Sequence, residues 1–278
     1  MGNASDLRAE LGGRSLHLAA ARGLPHELTT GETPSVIFGR GGDQHGNFHA
    51  RSFRNICARP DWARRLAKVH TGYRKALPRA DWRWKELDAA NSSDALLMNI
   101  FCYRRTLCGC ALAAALGVPR HTVPAFGFRP GIPLANGKGD RTEIDMKLGD
   151  LLVEAKLTET GFQHAPARLV ERYRDFAEVF DPELLPASHG VVHNYQLIRG
   201  VLAAHAAGGT FCLLCDARRP DLIAAWYSVV RSIASCTLRC RMRLITWQER
   251  AVSLPRSLQK FLAAKYGIGS TVAARSRP

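Results

Sequence analysis

The chain has 278 residues, 46% of them hydrophobic, with 39 Lys and Arg against 24 Asp and Glu and a formal net charge of +15. That composition excludes a disordered chain, and no apolar run approaches the roughly 20 residues that span a membrane. So large a positive excess points to a polyanionic partner, nucleic acid or an anionic membrane.

The start, MGNASDLRAE, has neither the basic opening nor the apolar run of a secretory signal, and Asp6 stands where a myristoylation signal has Ser or Thr. The expectation is a cytoplasmic protein, in which the eight cysteines form no lasting disulfides. Residues 1–58 read as a partly irregular N-terminal extension: a short helix from Ser5, then GRGGDQHGNFH, whose glycines follow no strand in a phosphate-cradling pattern. From Pro60, the spacing of Trp62, Leu66, Val69, Tyr73 and Leu77 predicts an amphipathic helix with Arg64, Arg65, Lys68, Arg74 and Lys75 mostly round its other sides. That basic surface is either simply solvated or laid on phosphates.

Ser92 or Ser93 caps a predicted helix through DALLMNIFCYRRTLCGCALAAAL that stops at Gly117 and Pro119 and is apolar nearly all round, hence a core helix. HTVPAF, residues 121–126, predicts a weak strand, and residues 127–140 a Gly- and Pro-rich loop able to reach a substrate groove. Helices are expected at 166–179 and 193–207, then a strand TFCLLC at 210–215, a helix from Pro220, a strand RMRLIT at 241–246 and a helix from about Pro255 to Gly267. Cys212 and Cys215 have the spacing of metal ligands, but three apart on a strand they point to opposite faces. His189 and His193 read as loop or helix-start residues. Strands alternating with helices imply an α/β sheet covered on both faces. Residues 231–278 hold ten Lys or Arg against the single acid Glu249, so the C-terminal part is strongly basic.

Between these elements lies TEIDMKLGDLLVEAKLTE, residues 142–159. Gly149 and Asp150 suit a type II′ turn, which pairs Leu148 with Leu151 and so places Asp145 opposite Glu154 and Glu143 opposite Lys156. Those four share one face, and Ile144, Met146, Val153 and Ala155 take the other. Carboxylates held roughly 5 Å apart repel and call for a cation, a shared proton or close basic groups. Oxygen ligands suit Mg²⁺, with the Ala155 backbone carbonyl as a third ligand. Lys156, on the same side of the strand, can orient or help deprotonate a water and stabilise developing negative charge on a phosphate. The bland alternative is a surface ion pair of Glu143 with Lys156 beside solvated acids, and it fits poorly with the apolar run LLVEAKL.

Asp145, an eight-residue spacer and then Glu154-Ala155-Lys156 resemble the PD-(D/E)xK nuclease motif. NSSDALLMNIF (91–101), EAKLTE (154–159) and YQLIRG (195–200) are similar to segments of bacterial restriction endonucleases in that superfamily. The resemblance covers about the central two-thirds and implies a restriction-endonuclease-like α/β fold: a central mixed sheet flanked by helices, here at 59–267, with a basic flexible tail at 268–278. It implies catalytic roles for Asp145, Glu154 and Lys156, with Asp145 and Glu154 binding Mg²⁺, for which Mn²⁺ can substitute. Two departures stand out: Ile144 replaces the proline of the motif, and the acid that many members place on the first core helix is ambiguous between Asp94 and Glu86. Glu143 and Glu159 are further supporting acids. Gln196 and Arg199 share a helix face and are either phosphate contacts or plain surface residues, and Gly200 stands where some relatives have a tyrosine. The implied activity is a metal-dependent DNA endonuclease, with a homodimer for double-strand cuts and a DNA methyltransferase as functional companion. The alternatives are a repair or branched-DNA nuclease and a non-cleaving nucleic-acid-binding protein on the same fold.

Overall fold

The computed structural model describes residues 4–29, 34–41, 43–69, 84–104 and 106–269. The chain divides into two compact units, one formed by residues 1–115 with 246–278 and the other by residues 116–245.

In the first unit, helix α1 (Ala4–Arg22) extends the short helix expected from Ser5, and its buried Leu7, Leu11, Ser15, Leu18 and Ala19 form one stripe at helical spacing. It packs against the C-terminal helix Arg256–Tyr266. Two short strands, His26–Leu28 and Val36–Phe38, pair antiparallel. Helix α2 (Ala50–Cys57) starts at His49, whose ring accepts the Arg51 backbone N–H. The long helix expected from Pro60 is corrected: Pro60–Ala63 is helical, Arg64–Ala67 is a 3₁₀ turn and Lys68 is extended. The cause is a competing partner, because Lys68 O accepts the Glu86 N–H and Val69 bridges Lys85. The part of that expectation on Tyr73, Arg74, Lys75 and Leu77 lies outside the described residues, as does nearly all of the tail. The predicted core helix is also two pieces. Helix α3 (Ser93–Phe101), capped by Ser92 Oγ on the Ala95 N–H, is buried at every position, and a second helix, Cys110–Leu116, follows a non-helical break that ends at Gly109.

The second unit is built on a five-stranded mixed sheet: β1 (Ala125–Phe128), β2 (Ile144–Leu148), β3 (Leu151–Ala155), β4 (Thr210–Cys215) and β5 (Met242–Thr246), in the order β5-β4-β3-β2-β1. The strand expected at 121–126 begins only after Pro124, which has no N–H for a ladder. Strands β1 and β2 and strands β2 and β3 run antiparallel, whereas β4 runs parallel to β3. Strand β3 is therefore central and buried at all five positions, while β2 alternates buried and partly buried residues. Helix α4 (Tyr195–Ala206) lies on the sheet, and a Cβ at Gly200 would sit 2.2 Å from the Phe211 ring. That ring fills the space a larger side chain at 200 would need. Helix α5 (Pro220–Val230) begins at its proline as expected.

Between β3 and α4 the expected helix at 166–179 is reduced to Ala167–Val170 and Phe176–Val179. A three-stranded sheet formed by His164–Pro166, Val191–His193 and Ala187–Ser188 occupies this region instead. His193 is thus a strand residue, not a loop or helix-start one, and its Nδ1 lies 2.9 Å from Nδ1 of His164. His189 sits in a turn at φ 49°. Cys212 and Cys215 are buried within β4. No helix among the described residues is long and apolar enough to cross a membrane.

Candidate active site

The turn between β2 and β3 sets the site. Gly149 has φ 61° and Asp150 is not among the residues of positive φ, the combination of a type II′ turn. The ladder pairs Leu148 with Leu151 and Met146 with Val153, so counting on by one places Asp145 opposite Glu154. There the regular ladder ends: the Ala155 N–H donates to Asp145 Oδ2 at 2.7 Å. A side-chain carboxylate thus takes a bond that the neighbouring backbone would otherwise supply, and it is held against the strand that carries the second acid.

Glu154 and Lys156 are 4% and 6% exposed, and Lys156 Nζ lies 2.6 Å from Glu154 Oε1. Burial on its own would lower the Lys156 ammonium. The carboxylates of Glu154, Glu159 and Asp145 outweigh it and hold the pKa above the ordinary lysine value, so the side chain stays charged at neutral pH. Its Nζ also sits 5.7 Å from the Phe162 ring centroid. Glu159 turns back to accept the Leu157 N–H at 2.6 Å. Lys156, Glu159, Phe162, Asn194 and Gln196 are among the residues lining a cleft of about 530 Å³.

Arg219 fixes the chain just beyond β3. It is fully buried and donates to Leu157 O at 3.1 Å and Glu159 O at 2.7 Å, while its other N–H groups pair with Asp221 at 2.7 and 2.9 Å. Hydrogen bonding to this guanidinium holds the Asp221 carboxyl below its usual range despite partial burial. Sequence reasoning missed Arg219. The only signal was an arginine immediately before a helix-starting proline and Asp221, a pattern that equally suits an exposed surface.

Of the other predicted residues, Gln196 faces the cleft, while Arg199, on the same helix, is buried with its guanidinium 5.4 Å from the Tyr195 ring. Tyr195 in turn bonds the Tyr173 hydroxyl, which donates to Asp140. Burial first, then these two bonds, raises the Tyr173 pKa. This polar group beneath the start of α4 was not anticipated either. Glu143 lies one residue before β2 and is partly buried. Asp94 and Glu86 belong to the first unit, where Asp94 pairs with Arg65 at 2.6 Å and Glu86 with Lys68 at 2.9 Å. Burial, then the neighbouring Asp94 carboxylate, raises the Glu86 pKa.

The donors present fit a hard divalent cation. Glu154 Oε2 makes no hydrogen bond among the described residues, and it shares a face with the Asp145 carboxylate. Mg²⁺ takes one or two carboxylates and completes its shell with waters and substrate phosphate, so it requires no closed cage of protein ligands. Among the described residues no group of three or more His, Cys, Asp or Glu forms such a cage.

A protein-family model described as "Restriction Endonuclease associating with ARP" matches residues 22–267. No curated protein and no solved structure matches the chain.

Proposed function

We propose, since the chain belongs to the family "Restriction Endonuclease associating with ARP", that it is a Mg²⁺-dependent endonuclease hydrolysing phosphodiester bonds of DNA. The observation that carries this reading is the buried pair of Glu154, on the central strand and across the hairpin from Asp145, with Lys156 just past the strand's end. Replacing such a pair by apolar residues is commonly neutral or stabilising, so two buried charges at the end of a central strand are better explained by chemistry than by stability.

Asp145, Glu154 and the Ala155 carbonyl would hold the cation, which when bound supplies Lewis-acid activation of water and neutralises phosphate charge. The charged Lys156 faces the same place and stabilises the negative charge that builds on the phosphate oxygens. Water oxygen bonds to phosphorus, one P–O ester bond breaks, the departing oxygen gains a proton and the attacking water loses one. Gln196, lining the same cleft, contacts the bound phosphodiester or its waters. Supercoiled plasmid incubated with Mg²⁺ tests the reading. Wild type nicks or linearises it, EDTA abolishes cutting, and Glu154→Ala and Lys156→Ala do not cut. Cutting that persists undiminished in both variants overturns the site, and DNA binding without cutting under any divalent cation favours a non-cleaving protein on this fold.

A further inference from the structure

A hollow of about 410 Å³ in the first unit is lined by Arg51, Arg54, Asn55, Tyr103, Arg104 and Cys108. Arg51, Arg54 and Asn55 share one side of α2 at spacings of three and four, and Arg104 comes from the segment just past α3. All three arginines are exposed, and among the described residues none of them pairs with a carboxylate. Three like charges round one concavity repel unless an anion joins them. Arg51 is held in place, since its Nη1 donates at 3.1 Å to the hydroxyl of Tyr103, which is 3% exposed and lies 3.0 Å from Ser257 Oγ. The neutral donor is already engaged, with Asn55 Nδ2 donating to Cys102 O at 2.8 Å. The groups left to meet a ligand are planar guanidinium forks, which match phosphate oxygens. The local field agrees: at His49, which caps α2, burial and then the charges of Arg51 and Arg22 lower the imidazole pKa.

We infer that this hollow is a phosphate subsite that grips the backbone of duplex DNA without reading its bases. The choice of DNA over other phosphates rests on the nuclease reading above. The grip itself follows from the arginines, whose bonds to phosphate fix position and carry no sequence information.

The test is anisotropy of a fluorescent random-sequence duplex, titrated with protein in EDTA over a range of KCl. EDTA removes any dependence on cutting. Arg54→Gln/Arg104→Gln leaves Arg51 on Tyr103 and is checked by its circular dichroism melt. The double variant is expected to bind about tenfold more weakly at physiological salt, with the slope of log affinity against log salt shallower by about 0.9 for each phosphate that is no longer neutralised. Unchanged affinity and slope in the double variant, or no duplex binding by wild type, overturns the subsite. So does loss of mononucleotide or inorganic phosphate binding with duplex binding intact, which would mark a small-anion pocket. Wild type that binds through these arginines yet never cuts defeats the catalytic reading alone.

Discussion

Lys265, near the end of the C-terminal helix, is fully buried and, among the described residues, faces no carboxylate. Its Nζ has Ser15 Oγ at 3.3 Å and Ala90 O at 3.4 Å, with the Phe38 and Tyr266 rings at 4.7 and 4.9 Å. Burial lowers its pKa to about 7, against about 10.4 in an unfolded chain. Between those values the unfolded chain binds the extra proton, so stability falls as pH drops from about 10 to 7 and levels off below. The gap of roughly 3.4 units, at 1.36 kcal/mol each, amounts to about 5 kcal/mol. Lys265→Met keeps an unbranched side chain in the same space, leaves two weakly bonded acceptors and removes the titration. Urea unfolding followed by circular dichroism, at constant ionic strength from about pH 6.5 to 9.5, should give a wild-type stability rising by up to ~1.4 kcal/mol per pH unit more than that of Lys265→Met. Parallel pH profiles for the two proteins would refute the reasoning, whatever their offset.

Glu154→Ala strands a buried ammonium and should cost about 3–5 kcal/mol, while Glu154→Ala/Lys156→Met recovers most of that loss; additive costs in a double-mutant cycle would contradict a coupled pair. Arg219→Met releases the Leu157 and Glu159 carbonyls and should lower kcat by about a hundredfold with KM little changed, because small displacements of reacting groups are costly. Wild-type kcat in that variant removes Arg219 from the positioning of the site. Gly200→Ala should destabilise by about 1–3 kcal/mol through its clash with Phe211, and a smaller residue at 211 should relieve it; a neutral Gly200→Ala melt would show that the helix shifts freely.

The hairpin could be read from sequence because its register depends on one glycine and a strict alternation, both local. Strand β4 and helices α4 and α5 were legible for the same reason, an apolar run or stripe bounded by Gly or Pro. What failed was wherever a distant partner overrode local preference. The helix from Pro60 ends because Lys68 and Val69 pair with residues 85–86, and Arg65, expected on the basic outer side, turns inward to Asp94. Within the candidate site, the juxtaposition of Asp145, Glu154 and Lys156 was legible because their spacing is short and periodic. Arg219 lies some sixty residues beyond the carbonyls it holds, a separation with no period to detect.

The central strand also dictates when the site can come into being during folding. Its antiparallel partner β2 is joined by a two-residue turn, so that pairing is local and fast, whereas its parallel partner β4 must return from the far end of the Ala155–Thr210 crossover. Until that loop closes, the neighbouring strand that helps to bury Glu154 and Lys156 is missing. The arrangement of Asp145, Glu154 and Lys156 is therefore completed only by a long-range closure.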